Sequence, residues 1–361
     1  MASPVRREKM DKALLFFLYI FIAFLPGIEV NASKHHHNTR RRHRHLFVFG
    51  DSYADTGNIN RLLANSWKSP YGETFPGKPT GRFSDGRVLT DFIARFENLR
   101  TPITYRWRNL NRNVIRNGIN FAYGGTGVFD TYVPFPNVTA QISLFEGVLD
   151  DDTYTHCEIE RSVALISVAG NDYFTWYERN NRSIEGIQEF IVSVIGQLVV
   201  DINRIIDLGV KKIAVVGLPP LGCVPQLTVT SSYQKCNDLI NEAVRGHNAL
   251  LQEAVGDLNR YKKRTKVVVL DLYSAFMSIL QNSGNQGEKG GFKFGPDPLK
   301  PCCSPISSEY GCGQVDVNGN KLYTVCEQPQ SAFYWDGVHP TQKGWTVISS
   351  ALKSTVYSLS S

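Results

Sequence analysis

The chain has 361 residues, of which 42% are hydrophobic and 20% are charged, and its formal net charge is +6. This hydrophobic content is enough to bury a full core, in one large domain or two small ones. The first 45 residues hold nine of the basic and three of the acidic residues, which leaves the remainder balanced at 30 of each. The folded part therefore gives no sign of nucleic-acid binding.

The N-terminus has the pattern of a secretory signal peptide. Four basic residues between Arg6 and Lys12 precede a run of thirteen apolar residues, 13–25, and small residues follow around Ala32. This order predicts a signal peptide over residues 1–32 and export of the mature protein. A membrane anchor is the alternative, but the run is shorter than the roughly 20 residues that span a bilayer. We therefore expect a secreted protein with no stable membrane span.

The sequence of the exported chain predicts a basic, histidine-rich tail and two glycosylation sites. Residues 33–45 are rich in histidine and basic side chains and contain no acidic residue. They could bind a metal or a polyanion, but this composition is more typical of a disordered, solvated tail. Asn137 and Asn181 each begin an Asn-X-Ser/Thr sequon. Both are predicted glycosylation sites in an exported protein.

From residue 46 onward, apolar runs alternate with helical patterns. The runs are continuous rather than alternating, as in strands covered on both faces. They are 46–49, 118–122, 163–168, 212–216 and 266–270. Apolar residues at helical spacing occupy 187–208, 238–260 and 347–359. This alternation predicts an α/β fold, a three-layer α/β/α sandwich around a central, mostly parallel five-stranded sheet.

The region 284–330 differs because Gly, Pro and Cys punctuate it. The chain has seven cysteines, which are Cys157, Cys223, Cys236, Cys302, Cys303, Cys312 and Cys326. In an oxidising compartment most should pair and one is left over, but the spacing does not reveal the pairing. No C-x-x-C occurs, so no zinc or thioredoxin-type site is indicated. We interpret 284–330 as a disulfide-tied insertion within a single domain that spans residues 46–361.

Three of the predicted strands end in turns that carry glycine and polar residues. The turns are Gly50-Asp51-Ser52, Tyr123-Gly124-Gly125 and Gly170-Asn171-Asp172. Since the carboxyl ends of parallel strands meet at one edge of a sheet, where ligands bind, we expect these turns to converge. The glycine before Ser52 lets the chain turn sharply and present the hydroxyl, although such a serine could also simply cap a helix.

The histidines single out one candidate base. Beyond residue 45 the chain has only His156, His247 and His339. His247 lies in a helical pattern and His156 in a polar loop, where structural roles are the simpler interpretation. His339 follows Asp336 by three residues, so one turn can bring the carboxylate to Nδ1 and leave Nε2 facing a substrate. A structural Asp–His pair is the alternative, but Ser52 at a strand end favours nucleophilic catalysis, because imidazole activates serine.

The sequence around these residues resembles the conserved blocks of the GDSL esterase/lipase family, part of the SGNH hydrolase superfamily, and most of all its plant branch. The similarity extends over nearly the whole chain after Leu46. The matching blocks are GDSYADTGN at 50–58, GRFSDGR at 81–87, NFAYGG at 120–125, GNDY at 170–173, GLPPLGC at 217–223 and WDGVHPT at 335–341. The resemblance implies an SGNH/flavodoxin-like fold.

The resemblance also implies an acyl-ester hydrolase that needs no metal and no cofactor. Ser52 would be the nucleophile and His339, oriented by Asp336, the base. The oxyanion hole would consist of the Ser52 N–H, the Gly124 N–H and the side-chain amide of Asn171, which are donors suited to a developing oxyanion. The substrates would be lipids or other small-molecule acyl esters.

Three positions depart from the family pattern. Tyr53 stands where the motif has leucine, Tyr123 replaces the serine before Gly124, and Ala169 replaces the first glycine of the G-x-N-D block. We expect the two tyrosines to narrow or polarise the site. Ala169 would shift the turn at Asn171 if its position requires a positive φ.

Other functions find less support in the sequence. The segment 72–78 has P-loop spacing but is followed by proline, and neither G-x-S-x-G nor H-E-x-x-H occurs. On the same triad the protein could be a carbohydrate or phenolic deacylase, or an acyltransferase. An inactive secreted binding module is the alternative of another class, but such a module needs no set of Ser52, Asn171, Asp336 and His339.

Overall fold

The structure is a computed structural model that describes residues 44–111, 113–282 and 294–359. The predicted signal peptide and residues 33–43 of the predicted tail lie outside these ranges. The strands are β1 (Leu46–Gly50), β2 (Ile103–Thr104), β3 (Ile119–Asn120), β4 (Val163–Ser167), β5 (Lys212–Val216), β6 (Lys266–Leu270), β7 (Cys303–Pro305) and β8 (Tyr323–Val325). The helices are α1 (Leu89–Phe96), α2 (Val138–Asp150), α3 (His156–Arg161), α4 (Asn171–Arg179), α5 (Ile187–Asp207), α6 (Pro225–Thr228), α7 (Asp238–Tyr261), α8 (Leu272–Asn282) and α9 (Gln342–Ser358).

Six strands form one parallel sheet in the order β2-β3-β1-β4-β5-β6. Strand β1 is central, because Val48 pairs with Asn120 of β3 on one side and with Leu165 of β4 on the other. All five predicted strands are present, but the expected count of five was wrong. The sixth strand, β2, is a two-residue edge strand beside β3, too short to form a recognisable apolar run.

Helices cover both faces of this sheet, which confirms the three-layer α/β/α sandwich. Leu46 and Val48 of β1 belong to the core formed with α1, α8 and α9. Phe47 and Phe49 belong to the core formed with α2, α5 and α7. All four side chains are fully buried, which is why the strand shows no polar alternation. None of the helices in the described ranges is long and apolar enough to cross a membrane.

The ends of the long helices lie close to the predicted ones, except at the start of the last. Helix α9 begins at Gln342 rather than at residue 347. The hydroxyl of Thr341 caps it by accepting the N–H of Gly344 at 2.9 Å, and such a cap is local chemistry that apolar spacing does not reveal. The helix therefore starts three residues after His339.

The described part of the insertion, 294–330, is a small antiparallel pair, β7 with β8. The disulfides in the described residues are Cys302–Cys326, Cys303–Cys312 and Cys223–Cys236, and Cys157 is free and exposed. The N–H groups of Cys302 and Cys303 donate to the carbonyls of Tyr334 and Trp335, at 3.0 and 2.7 Å. The insertion is thus hydrogen-bonded to the segment that leads into Asp336.

His45 belongs to the folded part, although its composition groups it with the preceding tail. Its side chain is buried, and its ring lies 4.8 Å from that of Tyr154, centroid to centroid. Its carbonyl accepts the N–H of Val163 at 2.9 Å. The pairing of β1 with β4 therefore begins one residue before the first predicted strand.

Candidate active site

A glycine turn delivers Ser52 to the carboxyl edge of the sheet. Gly50 has a φ of 129°, and a Cβ at this position would lie 1.8 Å from the carbonyl oxygen of Ser167, so a side chain does not fit. The buried side chain of Gln141 holds the turn. Its Oε1 accepts the Gly50 N–H at 2.7 Å, and its Nε2 donates to the Gly50 carbonyl at 2.9 Å. Strand β1 and helix α2 together determine where the Ser52 hydroxyl lies.

Ser52, His339 and Asp336 form a chain of hydrogen bonds. The Oγ of Ser52 lies 2.8 Å from Nε2 of His339, and Nδ1 of the same ring lies 2.7 and 2.9 Å from the two carboxylate oxygens of Asp336. Because an ionised carboxylate can only accept, Nδ1 carries the hydrogen and Nε2 is left to accept the hydroxyl hydrogen. The structure thus brings together three side chains that are up to 287 positions apart.

The surroundings of Asp336 keep its carboxyl ionised. Burial acts to raise the pKa of Asp336, but the charge of His339 and hydrogen bonds from His339, Tyr71 and Val338 outweigh it, so this pKa lies below its ordinary value. The hydroxyl of Tyr71 donates to Oδ2 at 2.7 Å. Burial holds the pKa of Tyr71 well above its ordinary value, so this hydroxyl remains a donor.

The GRFSDGR segment supports the loop that carries His339. The hydroxyl of Ser84 donates to the carbonyl of Pro340 at 3.0 Å. One carboxylate oxygen of Asp85 accepts the N–H of Gln342 at 2.6 Å. These contacts hold the chain on the far side of His339, between the base and helix α9.

Two buried carboxylates near Ser52 anchor the neighbouring turns. Asp51 accepts the N–H of Ala169 at 2.5 Å and the side-chain amide of Asn171 at 3.2 Å. Asp55 accepts the N–H of Gly124 at 3.1 Å. Burial raises the pKa of Asp51 to about 7 and that of Asp55 to about 6, against the lowering effect of their N–H donors. The turns after β1, β3 and β4 are thereby tied together at one edge, as predicted.

The predicted oxyanion-hole donors lie on these turns, but two of them are engaged elsewhere. The Gly124 N–H is used by Asp55, and the Asn171 amide donates to the carbonyl of Thr126 at 2.9 Å as well as to Asp51. Within the described residues, the Ser52 N–H has no hydrogen-bond acceptor. The composition of the hole stays a prediction, and it requires an oxyanion to compete with two carboxylates and one carbonyl.

Phe83 explains why residue 124 must be glycine. Its ring packs beside the ring of His339, with centroids 5.1 Å apart. A Cβ on Gly124 would lie 2.4 Å from the same phenyl ring. The aromatic side chain therefore fills the space between the base and the turn after β3.

The two tyrosines that depart from the family pattern have different positions. Tyr53 is buried, its hydroxyl donates to the carbonyl of Val338 at 2.8 Å, and its ring packs edge-on against Trp345. Its ring centroid lies 5.9 Å from that of His339, and its effect on the width or polarity of the site stays a prediction. Tyr123 is half-buried and its ring stacks on Phe135 at 6.0 Å.

The turn before Asn171 accommodates alanine at position 169. The positive φ in this turn, 123°, belongs to Gly170, and Ala169 is not among the residues with positive φ. A Cβ on Gly170 would lie 2.8 Å from the side chain of Leu221. The substitution at Ala169 therefore leaves the turn in place, and Gly170 is the residue that the turn requires.

An apolar cavity of about 180 Å³ lies beside this turn, between α4, the segment after β5 and α7. Its lining includes Phe174, Trp176, Leu221, Leu227, Ile240 and Ala243. Leu221 packs against Gly170, next to Asn171. The backbone N–H of Gln226, in the same segment, donates to the carbonyl of Gly337 at 2.8 Å. One wall of the cavity thus packs against the residue that precedes Asn171, and its apolar lining can accept an aliphatic or aromatic group.

The other two histidines lie outside the triad, in agreement with their structural interpretation. His247 is buried on α7, and burial lowers its pKa to about 3. Its Nδ1 lies 2.6 Å from the hydroxyl of Tyr173, so the neutral ring is hydrogen-bonded to that hydroxyl. His156 is exposed at the start of α3.

The two predicted glycosylation sites differ in accessibility. Asn181 is exposed. Asn137 is half-buried, where its Oδ1 caps α2 by accepting the N–H of Ala140 and its Nδ2 donates to Asp130 at 2.7 Å. Asn181 is the more accessible acceptor, and glycosylation at either position stays a prediction.

Sequence analysis missed three residues that hold the site. Tyr71 contacts Asp336 across 265 positions, and Gln141 contacts Gly50 across 91 positions. No local spacing points to such distant partners. Asp55 had a signal, since it lies inside the block at 50–58, but its link to Gly124 depends on the fold.

Comparison with known proteins assigns the chain to a family. A family model described as GDSL-like Lipase/Acylhydrolase matches residues 46–352. The Arabidopsis thaliana protein named GDSL esterase/lipase At5g03610 is 47% identical to this chain, and the match covers 96% of this chain and 98% of the relative. A second Arabidopsis thaliana protein, GDSL esterase/lipase At3g09930, is 46% identical, and the match covers 95% of this chain and 97% of the relative. An extracellular lipase from Streptomyces rimosus has 12% identity and a TM-score of 0.36, with 86% of this chain and 99% of that chain covered.

The family match spans Ser52, Asp336 and His339, and both relatives match almost end to end. The chain therefore belongs to the GDSL-like lipase/acylhydrolase family, as a member of its plant branch and a carboxylic ester hydrolase.

Proposed function

We propose that the protein is a secreted esterase or lipase that hydrolyses acyl esters through an acyl-enzyme on Ser52. The observation that carries the proposal is the 2.8 Å contact between the Ser52 hydroxyl and Nε2 of His339. A structural Asp–His pair would not need a serine hydroxyl at this nitrogen. We assign Ser52 as nucleophile, His339 as base and Asp336 as the residue that orients it.

Acylation begins when Ser52 Oγ attacks the carbonyl carbon of the ester. The hydroxyl hydrogen passes to Nε2 of His339 as the new C–O bond forms. Asp336 stays ionised and stabilises the imidazolium through Nδ1–H. The bond to the alcohol then breaks, the departing oxygen takes the proton from Nε2, and the acyl group stays on Ser52.

The oxyanion of the tetrahedral intermediate needs hydrogen-bond donors near Ser52. We propose the N–H groups of Ser52 and Gly124 and the amide of Asn171, since each such donor contributes on the order of 3 kcal/mol to the transition state. The unengaged Ser52 N–H supports this assignment. The Gly124 N–H is 3.1 Å from Asp55, and the Asn171 amide is 3.2 Å from Asp51 and 2.9 Å from the carbonyl of Thr126, so an oxyanion must displace these acceptors to receive the hydrogens.

Deacylation repeats the sequence with water in place of serine. Water gives a proton to Nε2 and its oxygen bonds to the acyl carbon. The Ser52–acyl bond then breaks, the proton returns to Oγ, and the carboxylic acid leaves. An alcohol in the place of water would give a new ester.

The apolar cavity beside Gly170 is the site that we propose for the acyl group of the substrate. Its walls carry aromatic and aliphatic side chains from α4 and α7. Burial of hydrocarbon is favourable by roughly 25 cal/mol per Å² of apolar surface. A substrate with an aliphatic chain would therefore gain affinity from this cavity that an acetyl ester cannot.

Export is supported by the signal-peptide pattern and by the three disulfides of the described residues, since such bonds persist in oxidising compartments. Glycosylation belongs to the same proposal, with Asn181 more accessible than Asn137.

The test is hydrolysis of p-nitrophenyl acetate, butyrate and palmitate by the wild type and by Ser52→Ala. We expect turnover by the wild type and a loss of at least about a thousandfold in the variant, since the nucleophile is removed. A fluorophosphonate should label only the wild type. If folded wild-type protein neither turns over any ester nor reacts with the phosphonate, the proposal is wrong and the protein is an inactive binding module. If added alcohol diverts most product into a new ester, the protein is an acyltransferase.

A further inference from the structure

Two segments of the sequence carry an excess of positive charge, although the chain from residue 46 onward is balanced overall. Residues 59–68 contain two basic and no acidic residues, and residues 99–118 contain five basic and no acidic residues. A charge concentrated in this way marks a candidate interaction surface.

These two segments are in contact with each other. Arg106 donates to the carbonyl of Ile59 at 3.1 Å, and its guanidinium lies 5.9 Å from the ring centroid of Trp67 and 5.0 Å from that of Trp107. The guanidinium of Arg61 lies 4.9 Å from the ring of Trp67. In the described part of the chain, both arginines face rings and a backbone oxygen rather than carboxylates, so their charge is not neutralised by an ion pair.

Large apolar side chains are exposed on the same segments. Leu62 is 88% exposed, Leu63 67%, Leu110 61% and Trp107 44%. Single exposed leucines are ordinary, but a group of them next to arginines forms a surface that water solvates poorly. We call Arg61, Leu62, Leu63, Arg106, Trp107 and Leu110 the arginine–leucine patch.

The patch adjoins the candidate active site. Ile59 lies 3.1 Å from the position that a Cβ on Gly124 would occupy. Asn58, the next residue back, donates to the carbonyl of Ala122 at 2.9 Å and accepts from the N–H of Arg106 at 3.4 Å. A ligand on the patch is thus held close to the turn after β3.

We propose that the arginine–leucine patch docks the protein on an anionic lipid bilayer, with its catalytic edge beside the surface. The leucines and Trp107 enter the headgroup region, and the arginines pair with anionic headgroups. A soluble polyanion would account for the arginines but not for the exposed leucines. This docking is peripheral and is independent of whether Ser52 hydrolyses esters.

The test is co-sedimentation with vesicles of phosphatidylcholine, alone or mixed with phosphatidylglycerol. Wild type and Ser52→Ala should bind the anionic vesicles equally, and at least about tenfold more tightly than the neutral ones. Leu62→Ser combined with Leu63→Ser should lower this affinity by about tenfold or more, because two apolar side chains no longer enter the bilayer. Arg61→Gln should weaken binding mainly at low salt.

A matched control is Val192→Ser with Val200→Ser, which alters two exposed apolar residues of α5 and should leave vesicle binding unchanged. The leucine variant should keep wild-type turnover of dissolved p-nitrophenyl acetate, which shows that it folds. Absence of binding to anionic vesicles, or equal binding by the leucine variant, would overturn the proposal. So would binding to heparin in place of vesicles, or a dimer that the leucine variant dissociates, since a polyanion or a second copy would then be the occupant.

Discussion

At the scale of single residues, the position of Asp336 depends on a side chain far away in the chain. Tyr71 donates to Oδ2 of the carboxylate across 265 positions. Its hydroxyl is therefore a positioning group, since it reaches His339 and Ser52 only through Asp336.

Tyr71→Phe removes this hydroxyl and keeps the ring. We expect kcat to fall about tenfold with little change in KM, because a hydrogen bond to a charged group contributes about 1.5–3 kcal/mol. Steady-state kinetics on p-nitrophenyl butyrate measure both constants.

The control for Tyr71 is Tyr323→Phe in the same disulfide-tied cluster. The hydroxyl of Tyr323 donates to the carbonyl of Ser69 at 2.9 Å and not to the triad. If both variants lose kcat equally, the hydroxyl of Tyr71 acts through general packing and not through Asp336.

We expect the preferred length of the substrate to depend on a single position of the apolar cavity. Ala243 on α7 lines the apolar cavity, and Ala243→Phe would fill part of it. We expect kcat/KM for p-nitrophenyl palmitate to fall at least about tenfold relative to the acetate, because the acyl chain loses its burial. Ala249→Phe, at an exposed position on the same helix, should leave the ratio of the two substrates unchanged. An unchanged ratio in Ala243→Phe would mean that the acyl chain binds elsewhere.

The triad could be predicted from the sequence because its signals are local. A glycine before Ser52 and a carboxylate three residues before His339 are visible in short windows. Tyr71 and Gln141 could not be found in this way, because each acts on a partner that only the fold brings near. Local spacing likewise does not reveal that the hydroxyl of Tyr53 donates to the carbonyl of Val338.

At the scale of elements, the disulfide-tied insertion supports the acid of the triad. The N–H groups of Cys302 and Cys303 hold Tyr334 and Trp335 by their carbonyls. Tyr71 packs in the same cluster as these cysteines. The insertion thus fixes both the chain before Asp336 and the tyrosine that donates to it.

Cys303→Ser with Cys312→Ser removes one of its two bridges. We expect a loss of about 2–4 kcal/mol in stability and a fall in kcat of several-fold where the protein is still folded. Thermal unfolding and turnover, measured well below the melting temperature, separate the two effects. Cys157→Ser, which removes the free exposed cysteine, should alter neither. Unchanged kcat in the folded double variant would restrict the insertion to a stabilising role.

Elements with long apolar runs were predictable, and short ones were not. Strands β5 and β6 match their predicted ranges, 212–216 and 266–270, to the residue. Strand β2 was not predicted because two residues are too few to show a periodic pattern. The start of α9 was misplaced because the cap at Thr341 determines it. The disulfide pairing also depends on tertiary structure.

At the scale of the whole molecule, a buried neutral histidine makes stability depend on pH. The pKa of His247 is about 3 in the folded protein and 6.5 ordinarily. Below pH 6.5 the unfolded chain binds a proton that the folded protein does not. The contribution of His247 to the free energy of unfolding is therefore fully present above pH 6.5 and is lost as the pH falls toward 3.

We therefore compare urea unfolding of the wild type and His247→Gln at about pH 7.5 and 4.5. Glutamine can still accept from Tyr173 but does not titrate. The loss of unfolding free energy on acidification should be about 3 kcal/mol smaller in the variant, because about 1.4 kcal/mol per pH unit applies over the interval between pH 6.5 and pH 4.5. The pKa values of Asp51 and Asp55 are raised in the folded protein, so these two residues increase the free energy of unfolding on acidification. This effect is the same in both proteins. The control His156→Gln, at an exposed position, should lose as much unfolding free energy on acidification as the wild type. If His247→Gln also loses as much as the wild type, His247 is not the group that makes stability depend on pH.

The 287 positions between Ser52 and His339 also bear on biosynthesis. The serine follows the first strand and is made early, whereas the acid and the base emerge from the ribosome only after every strand of the main sheet. Domains generally fold as units during or after synthesis, so a nascent chain holds a serine without a base. With the proposed roles of Ser52 and His339, we expect the hydrolase to be inert while it is being made and to begin hydrolysis only after the C-terminal segment has folded onto the sheet.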